Sequence, residues 1–215
     1  LILRLQDSYK LILSLEADLQ QHCACLNLPS RLDMTELWDI YNLNIHLLNS
    51  YHDFLTHALH SGKSGKQIVT IYRIQRRLWV YGIVTFLDVL KNVVSIFIEH
   101  DICSSFIAYS FNILTGLVDL TINSWVFEKI GDLSRMAIAL YPSRYIDWKL
   151  SSEYWYDCSM KLNYGQGKIY YHIATVQQDN LDARMNIGKA VFTRDTFIPT
   201  KQYMKMVIDN INQRQ

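Results

Sequence analysis

The chain has 215 residues, of which 50% are hydrophobic and 13% aromatic, and it contains only 8 glycines and 3 prolines. This composition excludes a disordered, collagen-like or disulfide-stapled chain, and a β-sandwich would normally need more Gly- and Pro-bearing turns. The formal net charge of +1 is far from that of a dedicated nucleic-acid-binding domain, so any basic surface must be local.

Apolar residues recur at three- and four-residue spacings almost throughout the chain, which is the period of an α-helix rather than of a strand. Helices are predicted at residues 2–22, 35–60, 67–99, 102–114, 122–140, 147–162, 168–178, 181–193 and 200–211. The third helix would be roughly 50 Å long at the usual rise per residue. The predicted fold is therefore an all-α, antiparallel bundle of about nine helices, which forms a single domain over residues 1–215.

Prolines and glycines occupy different positions relative to these helices. Pro29 and Pro199 stand at predicted helix boundaries, where proline is tolerated. Gly82, Gly131 and Gly188 lie inside predicted helices, where glycine costs up to about 1 kcal/mol relative to alanine. We interpret these three glycines as points at which two helices cross closely.

The last third of the chain contains a degenerate repeat. An aromatic, a branched apolar and a small residue recur at the spacing of the first helix of a tetratricopeptide unit. These residues are Phe127, Ile130 and Gly131, and then Tyr170, Ile173 and Ala174. The partner helices share a small, large, small pattern, at Ser152, Tyr156 and Ser159, and again at Ala183, Ile187 and Ala190. The repeat predicts helix pairs that stack.

Residues 78–98 form an apolar stretch that is long enough to span a bilayer. Asp88 and Lys91 lie near its middle, where each charge would cost a few kcal/mol in lipid. A buried helix explains the same residues without that cost, so we predict no membrane association. The chain begins with Leu1 and carries no secretory signal, and we expect it to be a piece of a longer protein.

We find no enzyme motif in the sequence. Residues 62–66 resemble a phosphate-binding loop, but their glycines are too close together and Gln67 replaces the required hydroxyl. Cys23 and Cys25 lack a second ligand pair for zinc, and the four histidines of residues 46–60 lack carboxylate or thiol partners at metal-binding spacing. We predict no catalytic residue, metal, cofactor or small-molecule substrate. A metalloenzyme is the least favoured alternative.

Five basic residues form a candidate recognition surface, which we call the basic patch. Arg73, Arg76 and Arg77 share one side of the predicted third helix, because positions three and four apart are neighbours there, and Lys63 and Lys66 precede them. The guanidinium fork matches the oxygens of a phosphate group. The basic patch therefore indicates anion binding.

Arg135 is a separate candidate, four residues after Gly131. As an arginine in the same helix as the repeat, it could bind an anion of a partner. The alternative is an ordinary intrahelical ion pair with Asp132. The sequence leaves both interpretations of Arg135 open.

Residues 130–135 read IGDLSR and resemble the GD-Φ-x-R stretch of the family that unites the yeast telomerase-associated Ever Shorter Telomeres protein with the SMG nonsense-mediated-decay adaptors. The segments YYHIATVQQ and ARMNIGKAV resemble the continuation of that family, and residues 37–38 and the long helix match it as well. Within the family, the chain is most similar to fungal proteins with a 14-3-3-like domain, helical repeats and a PIN nuclease domain.

The resemblance implies a 14-3-3-like fold with tetratricopeptide-type helix pairs. In the decay adaptors, the groove of this fold binds phosphorylated Ser or Thr of an RNA helicase through paired basic residues. Arg135 matches the motif arginine of that pocket, whereas the second basic position falls on Leu43. The acidic nuclease site of the PIN domain has no counterpart here, so any nuclease activity would lie outside these residues.

The leading hypothesis is a non-catalytic scaffold that binds a protein or a phosphorylated peptide through Arg135 and the arginines of the basic patch. It would act in an RNA-decay, gene-expression or telomere-related complex, in the cytoplasm, the nucleus or both. The alternative is binding of RNA or single-stranded telomeric DNA through the whole basic patch. The small net charge places this alternative second.

Overall fold

A computed structural model describes residues 2–26, 34–94, 100–120, 122–141, 146–177 and 181–212. These residues form α-helices and one π-helical segment, and no strand occurs among them beyond a single bridge between Gln166 and Asp195. The predicted all-α fold is confirmed. The chain divides into two compact units, Leu1–Ile122 and Asn123–Gln215. Pro29 lies outside the described residues.

The first unit is built around one long central helix. Its elements are α1 (Ile2–Leu26), α2 (Met34–His60), α3 (Lys63–Ile71), α4 (Ile74–Arg77), a π-helix (Leu78–Val84), α5 (Thr85–Val94) and α6 (His100–Thr115). Helix α2 packs against α1, α3, the π-helix and α6. Its buried residues follow the helical period and include Leu37, Ile40, Leu48, Tyr51 and Leu55.

Within the described ranges, no helix is both long and apolar enough to cross a membrane.

The prediction of one continuous third helix is wrong. Helix α3 ends at Ile71, and Arg73 adopts a left-handed conformation with φ of 53°. Tyr72 stacks on the ring of Tyr9 in α1, with 4.3 Å between ring centroids, and Arg77 bonds to Glu16 in α1. Positions 72 and 77 would lie roughly 140° apart around an unbroken α-helix. The break therefore lets both side chains contact the same neighbouring helix.

The second unit consists of paired helices. Its elements are α7 (Asn123–Leu140), α8 (Trp148–Leu162), α9 (Gly167–Gln177), α10 (Leu181–Phe192) and α11 (Ile198–Asn212). Helix α7 packs against α8, and α9 packs against α10, as the repeat predicts. All six residues of the small, large, small pattern are buried: Ser152, Tyr156, Ser159, Ala183, Ile187 and Ala190. The carboxylate of Asp147 caps α8 by accepting from the backbone N–H of Leu150 at 2.9 Å.

Two of the three helical glycines mark close contacts. A Cβ on Gly82 would lie 2.9 Å from Cδ2 of Leu48, and a Cβ on Gly131 would lie 2.7 Å from Cδ1 of Tyr156. Around Gly188 nothing lies within 4 Å of the same ideal position. The predicted close crossing at Gly188 is therefore wrong, while those at the other two glycines are confirmed.

Candidate functional site

Asp132, the acidic residue of the GD motif, is a buried carboxylate with two strong partners. Its Oδ2 accepts a hydrogen bond from Nζ of Lys129 at 2.8 Å, and its Oδ1 accepts one from the hydroxyl of Tyr156 at 2.8 Å. Burial is the largest single influence and would raise the pKa of the Asp132 carboxyl. The neighbouring charges, that of Lys129 first, and the Lys129 hydrogen bond together outweigh burial and hold the pKa below its usual range. Asp132 is therefore ionised at neutral pH.

Glu128 extends this network from α7 to α9. Its Oε1 accepts from Nζ of Lys129 at 2.9 Å and from Nζ of Lys168 at 2.5 Å. Together with Asp132, the two carboxylates and two lysines balance in charge. We call these four residues the α7–α9 network. It joins two helices that belong to different pairs.

The glycine of the GD motif has a packing role. Gly131 faces the ring of Tyr156, and the backbone carbonyl of Gly131 accepts from Oγ of Ser152 at 3.1 Å. Because the ring lies on Gly131 while the Tyr156 hydroxyl bonds Asp132, one tyrosine engages both motif residues. The GD pair therefore fixes the crossing of α7 and α8.

Arg135 joins this cluster only through a long hydrogen bond to Tyr156. Its Nε is 3.4 Å from the hydroxyl of Tyr156, and its side chain is half-buried. The intrahelical pair with Asp132 is not formed, since the Asp132 oxygens are bonded to Lys129 and Tyr156. Within the described ranges, Arg135 forms no ion pair. Arg135 thus stays a candidate anion-binding residue.

His172 is a member of the site that the sequence pattern did not predict. Its ring stacks on Tyr156 with 6.0 Å between centroids and 12° between planes, and its Nε2 lies 4.0 Å from Oδ1 of Asp132. Burial lowers the pKa of His172 to about 4, so the ring is neutral at neutral pH. The feature of the sequence that could have predicted a role for His172 is its position within the YYHIATVQQ segment, which carries the family resemblance.

The three arginines of the basic patch line one cleft in the first unit, which we call the arginine cleft. Its volume is about 350 Å³, and its walls also carry three tyrosines. The lining residues are Tyr9, Ile71, Tyr72, Arg73, Arg76, Arg77, Val80 and Tyr81. Lys63 and Lys66 are exposed on α3 but do not line the cleft. The structure therefore separates the patch into a cleft and two outlying lysines.

Arg77 differs from the other two arginines because its charge is already matched. Its Nε donates to Oε1 of Glu16 at 2.9 Å, and a second bond joins its Nη2 to Oε2 of the same carboxylate. The hydroxyl of Tyr51 also donates to this carboxylate, which is only 5% exposed. Glu16 lies on the apolar face of α1, between Ile12 and Leu19. A charged residue at such a position was the feature of the sequence that could have predicted this buried ion pair.

The described residues show no group of three or more His, Cys, Asp or Glu side chains arranged to hold a metal. Cys23 and Cys103 are buried, and burial raises the pKa of each thiol to about 11. The side chain of Cys25 lies outside the described part. The polar side chains around Asp132 and around the arginine cleft interact through hydrogen bonds and ion pairs.

The comparisons with known proteins bear on the whole sequence. No family model matches the chain. The chain is 49% identical over 224 aligned residues to the EST/SMG-like protein 2 of Saccharomyces cerevisiae, and the match covers 100% of the chain. These residues belong to the EST/SMG family. The chain spans 19% of the length of that relative, so it corresponds to one part of an EST/SMG protein.

Leu43 is the position at which the EST/SMG resemblance places a second basic residue. In this chain it is a half-buried leucine on α2. An apolar side chain offers no hydrogen bond to a phosphate. Arg135 is therefore without the basic counterpart that the family pattern implies at this position.

Proposed function

We propose that this chain is a non-catalytic binding domain of an EST/SMG protein, which captures a phosphorylated peptide of a partner protein at Arg135. The observation that carries the proposal is that Arg135 forms no ion pair within the described ranges, while Asp132 beside it is buried and bonded to Lys129 and Tyr156. A guanidinium group that is not neutralised by a carboxylate suits the oxygens of a phosphate. The complex would belong to RNA decay, gene expression or telomere maintenance, in the cytoplasm, the nucleus or both.

The surroundings of Arg135 support a positioned rather than a freely rotating side chain. The hydroxyl of Tyr156 lies 3.4 Å from its Nε, and Tyr156 itself is fully buried. A pre-positioned arginine loses less side-chain entropy when it binds an anion.

The test compares a fluorescent peptide mixture with a central phosphoserine and the same mixture without phosphate. In fluorescence anisotropy, Arg135→Glu is expected to weaken binding of the phosphorylated peptides at least tenfold, because it replaces attraction by repulsion. Arg184→Glu is the matched control, since Arg184 is an exposed arginine on α10. Equal affinity of the Arg135→Glu variant and the parent chain would refute this assignment.

A second candidate is binding of RNA or single-stranded telomeric DNA by the basic patch. The observation in its favour is the composition of the arginine cleft, which is lined by three tyrosines and three arginines. Cations that follow the backbone and rings on which bases stack are the usual means of binding single strands. This candidate ranks below peptide binding because the net charge is only +1.

Salt dependence tests this second candidate. The affinity for a single-stranded oligonucleotide is expected to fall as salt rises from about 50 to 200 mM, because phosphate contacts release counterions. The double substitution Lys63→Gln with Lys66→Gln is expected to make the slope shallower by roughly 0.7 for each phosphate that a lysine no longer neutralises. An affinity that stays constant over this range would contradict nucleic-acid binding by the patch.

A further inference from the structure

We infer that the arginine cleft is a specific site for a nucleoside 5′-phosphate, either free or at the end of a single strand. The inference rests on the second candidate function above, and it goes further by assigning one ligand group to one cleft. It also gives the three arginines separate tasks. Arg73 and Arg76 bind the phosphate, whereas Arg77 orders the aromatic walls.

The charge of the cleft matches one phosphate monoester. Arg73 and Arg76 are exposed, and neither forms an ion pair within the described ranges. No acidic residue lines the cleft, and the charge of Arg77 is balanced by Glu16. Two uncompensated guanidinium groups thus face a ligand group that carries about two negative charges near neutral pH.

The walls of the cleft suit a flat ring. The guanidinium carbon of Arg77 lies 5.6 Å from the ring centroid of Tyr9 and 5.6 Å from that of Tyr81. Tyr72 stacks on Tyr9 from another side. Because Glu16 fixes Arg77, and Arg77 contacts two of the rings, the aromatic walls are ordered before a ligand arrives. Preordered walls lower the entropic cost of binding.

The size of the cleft sets an upper limit on the ligand group. A volume of about 350 Å³ falls at the lower end of the range for small-molecule sites. It fits one base with its sugar and phosphate rather than a duplex. Phosphoserine and phosphothreonine carry no ring to cover the tyrosines, so a nucleotide uses more of this surface than a phosphopeptide does.

The backbone around the cleft is unusual on both sides of Arg76. Arg73 is left-handed with φ of 53°, a conformation that favours glycine over arginine. Val80 and Tyr81 belong to the π-helix, and such segments are frequent at functional sites. Strained backbone conformations cluster at ligand-binding sites, and here one falls on an arginine that lines the cleft.

Isothermal titration calorimetry of the 215-residue chain tests the inference. The probes are AMP, ribose 5-phosphate, adenosine and inorganic phosphate. AMP is expected to bind at least fivefold more tightly than ribose 5-phosphate or inorganic phosphate, since stacking of one base contributes roughly five- to 150-fold. Adenosine is also expected to bind more weakly than AMP, because it lacks the phosphate that Arg73 and Arg76 bind. A trinucleotide with and without a 5′-phosphate then distinguishes a strand end from a free nucleotide as the source.

Two double variants with the same charge change locate the site. Arg73→Gln with Arg76→Gln is expected to weaken AMP binding at least tenfold, whereas Arg184→Gln with Lys201→Gln, outside the basic patch, leaves it within twofold. All four side chains are exposed, and circular dichroism checks that both variants are folded. Unchanged AMP affinity in the arginine variant would overturn the inference.

Two further outcomes would also overturn it. One is that AMP binds no more tightly than ribose 5-phosphate, because the tyrosines then have no role. The other is that a phosphopeptide binds the cleft and AMP does not. If Lys63→Gln with Lys66→Gln weakens oligonucleotide binding while AMP fails to bind the parent chain, this inference fails and the second candidate function stands.

Discussion

Replacing Asp132 with asparagine is expected to lower the free energy of unfolding of the second unit by about 3–5 kcal/mol. The substitution keeps the shape of the side chain but removes the charge that Lys129 faces at 2.8 Å. Lys129 is only 7% exposed, so its ammonium group would lose a partner inside the protein. Urea denaturation followed by circular dichroism measures the loss.

Asp157→Asn is the matched control for this prediction. Asp157 lies on α8 and pairs with Lys161 at 2.7 Å, but both side chains are more than half exposed. Solvent screens an exposed pair of this kind, so it contributes little to stability and the control is expected to remain close to the parent chain. Equal losses for the two variants would show that the buried pair contributes no more than a surface pair.

The pH dependence of the Asp132 effect has a definite sign. The pKa of this carboxyl is lower in the folded than in the unfolded chain, where it is about 3.9. Its stabilising contribution is therefore fully present above that unfolded value and is lost as the pH falls through the folded pKa. The difference in stability between the parent chain and Asp132→Asn should accordingly shrink in acid.

Replacing Gly131 with alanine is the second prediction, with an expected loss of about 1–3 kcal/mol. The new Cβ would lie 2.7 Å from both Cδ1 and Cε1 of Tyr156. Tyr156 is fully buried, and its hydroxyl is bonded to Asp132, so the ring cannot move away without breaking that bond. Thermal unfolding of the variant measures the strain.

Gly188→Ala is the control of opposite sign. Gly188 lies within α10 and has nothing within 4 Å of an added Cβ. Alanine is expected to stabilise the chain there by up to about 1 kcal/mol, since it is the better helix former. If both glycine variants were stabilised, the contact between α7 and α8 would have to tolerate a methyl group, contrary to the close approach of Tyr156 to Gly131.

Local patterns were sufficient to predict most of the fold. The helical period of α2 and the small residues of the repeat fix which faces are buried, because burial follows directly from spacing. The break at Arg73 was not predictable in this way, since no glycine or proline marks it. It depends on Tyr9 and Glu16, which lie 63 and 61 positions away from their partners in the chain.

At the candidate sites too, sequence spacing predicts neighbours within one helix but not contacts between helices. The spacing of Arg73, Arg76 and Arg77 indicated that they lie together, and they do line one cleft. Spacing alone could not show that Arg77 is neutralised by a carboxylate from another helix. Nor could it show that Asp132 prefers Lys129 over Arg135, because both lie within one helical turn of it.

The α7–α9 network has a consequence for how binding measurements are interpreted. Its three hydrogen-bonded ion pairs are 2.5–2.9 Å long. Glu128, Lys129 and Asp132 lie largely beneath the surface, where mobile ions in solution screen them weakly. Ionic strength should therefore leave the folding of this unit nearly unchanged. A fall in nucleic-acid affinity with added salt then reports contacts with the ligand and not a loss of folded protein.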